Sequence, residues 1–266
     1  MLGKLIGKGR TACVYEYDNK VVKLFNENVS KSWIDYEYRI NKIVNDYQSF
    51  SPKVYEMVMI ENKRGIVFEA ITNETVSDVI KKQPLKTKEI AKDIAKVHLS
   101  IHEETANELE NQIDYFTNKI NLTKKLSNIQ KEKIIAYIKT LPNDNKLCHG
   151  DLHTDNYLKQ DYNYYVIDWT NAYSGCPASD IARTLLIMQS SSGKEELPLL
   201  IKPFVKTIIN TLLKTFLKEY LNQSSLNNEL IKAWRLPNAA ARLIENVPCE
   251  DDWLIKMIEE DLKKIK

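Results

Sequence analysis

Residues 149–156 read His149-Gly150-Asp151-Leu152-His153-Thr154-Asp155-Asn156, and Ile167-Asp168-Trp169 follows after one short polar turn. Asp151 offers a carboxylate that can orient and deprotonate an acceptor hydroxyl. Asn156 and Asp168 offer a neutral amide oxygen and a second carboxylate, hard donors that suit Mg²⁺ held against phosphates. Residues of these types at this spacing are what moving a nucleotide's γ-phosphoryl group demands of a protein. The intervening segment supports the same reading. Tyr157–Lys159 and Tyr164–Ile167 read as strands around the turn-rich run Gln160-Asp161-Tyr162-Asn163. A hairpin there returns Asn156 and Asp168 to the same end of two strands, so that ligands distant in sequence can share one ion.

Outward from this stretch, the first seventy residues are strand-like and the rest mostly helical. Leu5–Lys8, Ala12–Tyr17 and Val21–Phe25 read as short strands, the last two joined by the hairpin-type turn Asp18-Asn19. A helix from about Lys31 to Asp46 follows, then strands Val54–Ile60 and Ile66–Glu69 around Asn62-Lys63-Arg64-Gly65. Helices are predicted over Val76–Lys82, Thr87–Ile101, Ala106–Ile120, Gln130–Thr140, Pro177–Gln189, Leu197–Leu221, Leu226–Glu245 (interrupted at Pro237) and Trp253–Ile265. Ser190-Ser191-Ser192-Gly193 reads as a loop. Ile6-Gly7-Lys8-Gly9-Arg10-Thr11-Ala12-Cys13-Val14 fits G-x-G-x-x-G-x-V with Ala12 in the third glycine position. Glycines there let the backbone approach phosphates and supply unusual dihedrals. A dinucleotide-binding glycine loop runs from strand into helix, whereas this one runs from strand into strand. No Walker A pattern occurs anywhere. On the first helix, Trp33, Glu37, Ile40 and Val44 share one stripe, which turns the Glu37 carboxylate toward the sheet.

The five-residue step from Asp151 to Asn156 resembles the kinase catalytic loop. Gly150 ahead of the Asp and His153 two positions after it make the string resemble the aminoglycoside phosphotransferase and choline kinase branch. Asp168-Trp169 stands where those proteins place a metal-binding Asp. The resemblance spans most of the chain and is weakest after about residue 195. It implies an α+β, two-lobed protein-kinase-like fold, with a strand-rich N-terminal nucleotide-binding lobe of residues 1–72 and a mainly helical catalytic and acceptor-binding lobe of residues 73–266. It implies an ATP-dependent (or GTP-dependent) phosphotransferase using Mg²⁺ and a small-molecule hydroxyl acceptor, aminoglycoside-like, amino alcohol or sugar. Asp151 then acts on the acceptor, and Asn156 and Asp168 hold the metal. Gly7 and Gly9 cover the phosphates. Lys23 contacts the α- and β-phosphates with Glu37 as its partner. The main chain of Phe68 and Ala70, at an interlobe hinge near residues 69–74, meets adenine. His149 and Asp180 brace the catalytic loop, and His153 touches phosphate or packs.

Acceptor contacts are expected from Trp169, Trp234, Arg242 and Glu245, through aromatic faces or through carboxylates facing a cationic acceptor. Large aromatics more often pack in a core, and fold alone does not choose the acceptor. His98 and His102 sit four residues apart on a helix, a spacing that suits a metal, but no third ligand is evident and a packing role is expected. Two other functions remain open: a protein kinase built on a small-molecule-kinase core, and a non-catalytic nucleotide-binding protein. Against the first, only twelve residues lead from Asp168 to Asp180, little room for an activation loop. Against the second, every polar residue the chemistry needs is present.

Composition narrows the classes. A net charge of +2 over 266 residues shows no bias toward nucleic acid or membranes, and no apolar run approaches the roughly 18 residues of a membrane span. MLGKLIGKGR lacks a signal peptide's apolar stretch, and Cys13, Cys148, Cys176 and Cys249 are scattered without CxxC. A cytoplasmic protein is expected, with no nucleic-acid or membrane partner. Oligomeric state leaves no trace in the sequence.

Overall fold

The computed structural model describes residues 2–47, 50–71, 74–190, 201–247 and 249–265. They form two compact units, one of Met1–Lys82 with Thr154–Asn171, the other of Gln83–His153 with Ala172–Lys266. The boundary expected between residues 72 and 73 falls on two residues outside the described set, as do most of the Ser190–Gly193 loop and the start of the helix expected from Leu197.

Unit 1 is built on an antiparallel five-stranded sheet. Its strands are β1 (Leu2–Lys8), β2 (Ala12–Tyr17), β3 (Lys20–Phe25), β4 (Val54–Ile60) and β5 (Lys63–Glu69), in spatial order β1-β2-β3-β5-β4. The β4–β5 turn lies one step earlier than expected, at Glu61 and Asn62, both with left-handed backbone. That leaves Gly65 inside β5 opposite Leu24, where a Cβ would come within 2.7 Å of the Leu24 side chain. Strand periodicity sorts the side chains. Val22, Leu24 and Val67 pack on one face, and Phe25 and Ile66 pack on the other with Ile34 of helix α1 (Lys31–Tyr47). Lys23 shares the second face and is thereby delivered to α1.

The buried stripe of α1 is Ile34, Glu37, Ile40, Asn41 and Val44. Trp33, expected on that stripe, is 42% exposed and packs its ring against Tyr36 instead. A short helix α2 (Val76–Lys82) ends the first run of unit 1. Residues 154–171 then add a hairpin of β7 (Tyr157–Gln160) and β8 (Asn163–Val166). It is tied in by the Thr75–Leu158 bridge and by the Val166 amide donating to Phe50 O at 2.7 Å.

Unit 2 is helical: α3 (Thr87–Glu103), α4 (Gln112–Leu122), α5 (Asn128–Ile138), α6 (Pro177–Ser190), α7 (Lys202–Gln223), α8 (Asn228–Ala233), α9 (Arg235–Arg242) and α10 (Asp251–Leu262). The helix expected from Ala106 begins only at Gln112, because the Asn111 side chain caps it by accepting from the Ile113 amide at 2.9 Å. The break expected at Pro237 lies at Trp234; Pro237 sits in the first turn of α9, where its missing N–H costs little. Two three-residue strands not expected from the sequence, β6 (Lys146–Cys148) and β9 (Tyr173–Gly175), pair antiparallel and lead into the His149 loop. Among the described residues no helix is long and apolar enough to cross a membrane.

Candidate functional site

In unit 1, β3 presents Lys23 to the carboxylate of Glu37 at 2.6 Å, and Asp168 Oδ1 lies 3.7 Å from the same Nζ. Glu37 is 2% exposed. Burial works against the Lys23 charge, but Asp168 and Glu37 outweigh it and hold its pKa above the ordinary lysine value. The ammonium is a fixed positive charge. Asn156 precedes β7, Asp168 follows β8, and the Ile167 amide donates to Asn156 O at 3.0 Å. The hairpin thus closes with the two oxygen donors at one end. Asn156 is buried, whereas the Asp168 side chain is 45% exposed. Asp168 has φ 65°, a left-handed conformation that non-glycine residues seldom adopt and that sets the direction of its carboxylate.

The glycine loop departs from expectation in one respect. Among the described glycines only Gly150 has positive φ, so Gly7 and Gly9 do not supply unusual dihedrals. The loop instead closes by the Gly9 amide donating to Ala12 O at 2.8 Å, and a Cβ on either glycine would meet nothing nearer than 3.4 Å. A cavity of about 570 Å³ in this unit is lined by Ile6, Val21, Ala70 and Ile71, and further by Lys4, Glu16, Lys20 and the Asp18–Asn19 turn. Ala70 is exposed there, while Phe68 packs against the Phe25–Ile66 cluster.

In unit 2, Asp180 is fully buried in the first turn of α6, and its carboxylate serves another segment. Oδ2 accepts from the His149 amide and Oδ1 from the Gly150 amide, both at 2.8 Å. Gly150 has φ 75°, a turn that disfavours any side chain. Oδ2 also meets His98 Nε2 at 2.9 Å and His102 Nε2 at 3.1 Å, and His102 Nδ1 meets the Tyr220 hydroxyl at 2.6 Å. Because the carboxylate accepts, each histidine donates to it from Nε2. Asp180 is the third group the sequence did not show beside His98 and His102, but its distances are those of hydrogen bonds. Burial alone would raise the Asp180 pKa; the bonds from His102 and His98 hold it well below the usual carboxylate range. His98 is driven down to about 4, by burial first and then by His102. It is neutral at pH 7.

Asp151 follows this braced turn. Its amide donates to His149 Nδ1 at 3.2 Å, Oδ1 accepts from Arg183 at 3.2 Å, and Oδ2 lies 3.9 Å from His153 Nε2. His149 is buried and His153 is partly exposed. Glu245 pairs with Arg183 and, at 2.9 Å, with Arg242. Burial would raise its pKa, but Arg183, Arg242 and Lys119 bring it below the ordinary value.

Of the four residues expected to contact an acceptor, the two tryptophans are enclosed. Trp169 and Trp234 are both 0% exposed. Trp169 packs against Phe50 in unit 1 with Nε1 donating to Val166 O at 3.0 Å, and Trp234 packs against Phe116 in unit 2. Neither offers a face to a ligand. Arg242 is buried and forks onto Glu250 at 2.6 and 2.9 Å, so Arg242 and Glu245 are bound to partners within the chain. Sequence reading missed Arg183, although its position three residues after Asp180 puts both on one side of α6.

A charged lysine between two carboxylates, two oxygen donors closing a hairpin, and a braced Asp on a tight loop are groups of the kinds that phosphoryl transfer calls for. The model of the phosphotransferase enzyme family matches residues 4–206, and the chain belongs to that family. No curated protein matches it significantly in sequence. Among solved structures it is similar to a thermostable mutant of aminoglycoside phosphotransferase APH(4)-Ia in ternary complex with AMP-PNP and hygromycin B (TM-score 0.66, 11% identity, covering 98% of this chain and 93% of that one). It is also similar to amicoumacin kinase hAmiN in complex with AMP-PNP and Ca²⁺ (0.62, 12%, 98% and 87%). A third is choline kinase LicA from Streptococcus pneumoniae (0.60, 16%, 99% and 94%). The fold is the α+β protein-kinase-like one.

Proposed function

We propose that the protein transfers the γ-phosphoryl group of ATP, or of GTP, to a hydroxyl of a small molecule in the cytoplasm, with Mg²⁺ as cofactor. The observation that carries this reading is Lys23 between Glu37 and Asp168, at 2.6 and 3.7 Å. It is a permanently charged ammonium beside an exposed carboxylate, where a nucleotide's phosphates need both counter-charge and a metal ligand. The donor set fits the ion: Asn156 and Asp168 are hard oxygen ligands that would hold it, and when bound it neutralises charge on the phosphate oxygens. Gly7 and Gly9 cover the phosphates, and the main chain of Phe68 and Ala70 takes adenine. His149 and Asp180 hold the loop that carries Asp151. Asp151 receives the acceptor hydroxyl, orients its oxygen toward phosphorus, and takes its proton as the new P–O bond forms and the bond from the γ-phosphorus to the β,γ-bridging oxygen breaks, leaving the nucleoside diphosphate with that electron pair.

The similar structures name hygromycin B, amicoumacin and choline kinases, so hydroxyl compounds of those kinds are the acceptors to try first. ADP release from ATP and Mg²⁺ would be followed with choline, hygromycin B, amicoumacin, simple sugars and a generic protein substrate. Stimulation by at least one small hydroxyl compound is expected. Phosphorylation of the protein substrate alone would overturn the reading.

A further inference from the structure

Arg183 is nearly enclosed, its side chain 4% exposed, and it reaches the Asp151 loop at two points. Nε donates to Gly150 O at 3.1 Å and a terminal nitrogen donates to Asp151 Oδ1 at 3.2 Å. The same nitrogen pairs with Glu245. Burial opposes its charge, but Glu245 and Asp151 overcome this and raise its pKa further, so it stays a cation. Behind it runs a chain of paired charges. Glu245 Oε2 accepts from Arg242 at 2.9 Å, and Arg242 is held by the two bonds to Glu250. Enclosed ion pairs seldom add net stability over apolar packing, so such a chain suits placement better than stabilisation. A planar guanidinium can hold a main-chain carbonyl and a carboxylate of one loop together, which an ammonium cannot do in a fixed geometry.

We infer that Arg183 is a positioning residue for Asp151, fixing both the backbone and the carboxylate, and that Glu245, anchored by Arg242 and Glu250, sets Arg183. This rests on the proposed role of Asp151. It assigns Glu245 to the enzyme's own machinery and removes it from recognition of a cationic acceptor.

The test uses the full chain with ATP and Mg²⁺, ADP release being followed with water as acceptor. Arg183→Met should lower turnover about a hundredfold with KM for ATP within about twofold, since a misplaced group costs rate and not nucleotide binding. Arg183→Lys should recover part of that loss, leaving about tenfold, and Glu245→Gln should cost about fivefold. In an Asp151→Asn background, Arg183→Met should lower the residual rate no further. Turnover unchanged in Arg183→Met, or an equal further loss in the Asp151→Asn background, would overturn the assignment. If Arg183→Met does not fold, Arg183→Lys in the two backgrounds makes the same comparison. An Asp151→Asn enzyme as active as the parent would instead overturn the role of Asp151, a result distinct from the failure of Arg183 alone.

Discussion

The buried His98 makes the folded state sensitive to mild acid, by an amount that follows from its surroundings. His98 is 0% exposed, and its Nδ1 has no hydrogen-bond partner among the described residues. Burial and the neighbouring His102 bring its pKa from 6.5 down to about 4. The sign follows from proton uptake. Between pH 6.5 and 4 the unfolded chain binds a proton at this position that the folded chain refuses, so stability falls as pH falls through that window. The full loss is on the order of 3 kcal/mol, of which about 2 kcal/mol has gone by pH 5. Below that range Asp180 adds to the loss, because its depressed pKa contributes stability above the ordinary carboxylate value that disappears as it is protonated. Replacing His98 with Gln keeps a donor for Asp180 and removes the titration. Urea unfolding of parent and His98→Gln at pH 7, 6, 5 and 4 should show the parent losing the additional 2–3 kcal/mol. Parallel curves across the whole range would refute the argument that His98 is held neutral.

Asp168→Ala should weaken Mg²⁺-dependent ATP binding by about tenfold or more, some 1.4 kcal/mol, as well as turnover. Calorimetry giving the parent's affinity in the presence of Mg²⁺ would place the metal elsewhere. Trp234→Ala should destabilise the fold by about 3–5 kcal/mol through the cavity it leaves, with the acceptor KM of any enzyme that still folds near the parent's. Denaturation and acceptor kinetics check the two halves; a large KM shift without loss of stability would return Trp234 to the acceptor pocket.

What the sequence made legible was what local pattern encodes. The alternation in β2, β3 and β4, the helical stripe carrying Glu37 and the turn at Asp161 all lie within a few residues of the side chains they place. What it hid depends on partners far along the chain. Lys146–Cys148 and Tyr173–Gly175 are too short to show periodicity and exist as strands only because they pair with each other. Arg183 lies on the same side of α6 as Asp180, a legible spacing, but its partners are Asp151, 32 residues earlier, and Glu245, 62 later. His98 and His102 displayed their spacing, yet the group that joins them, Asp180, is 82 and 78 residues away. The tryptophans misled for another reason. Their size and polar edge suit a ligand pocket as well as a core, and only burial decides between the two.

The most direct test of the account is Asp151→Asn, read by two measurements on one sample: ADP release with the best small hydroxyl acceptor, and calorimetric binding of ATP with Mg²⁺. In the proposed mechanism Asp151 meets the acceptor, whereas Lys23, Asn156 and Asp168 meet the nucleotide and its metal. Turnover should therefore fall by about 10²-fold or more, the usual contribution of a positioned base, while nucleotide affinity stays within about twofold. Turnover at the parent's rate, or nucleotide binding lost along with it, would contradict the claim that Asp151 acts on the acceptor.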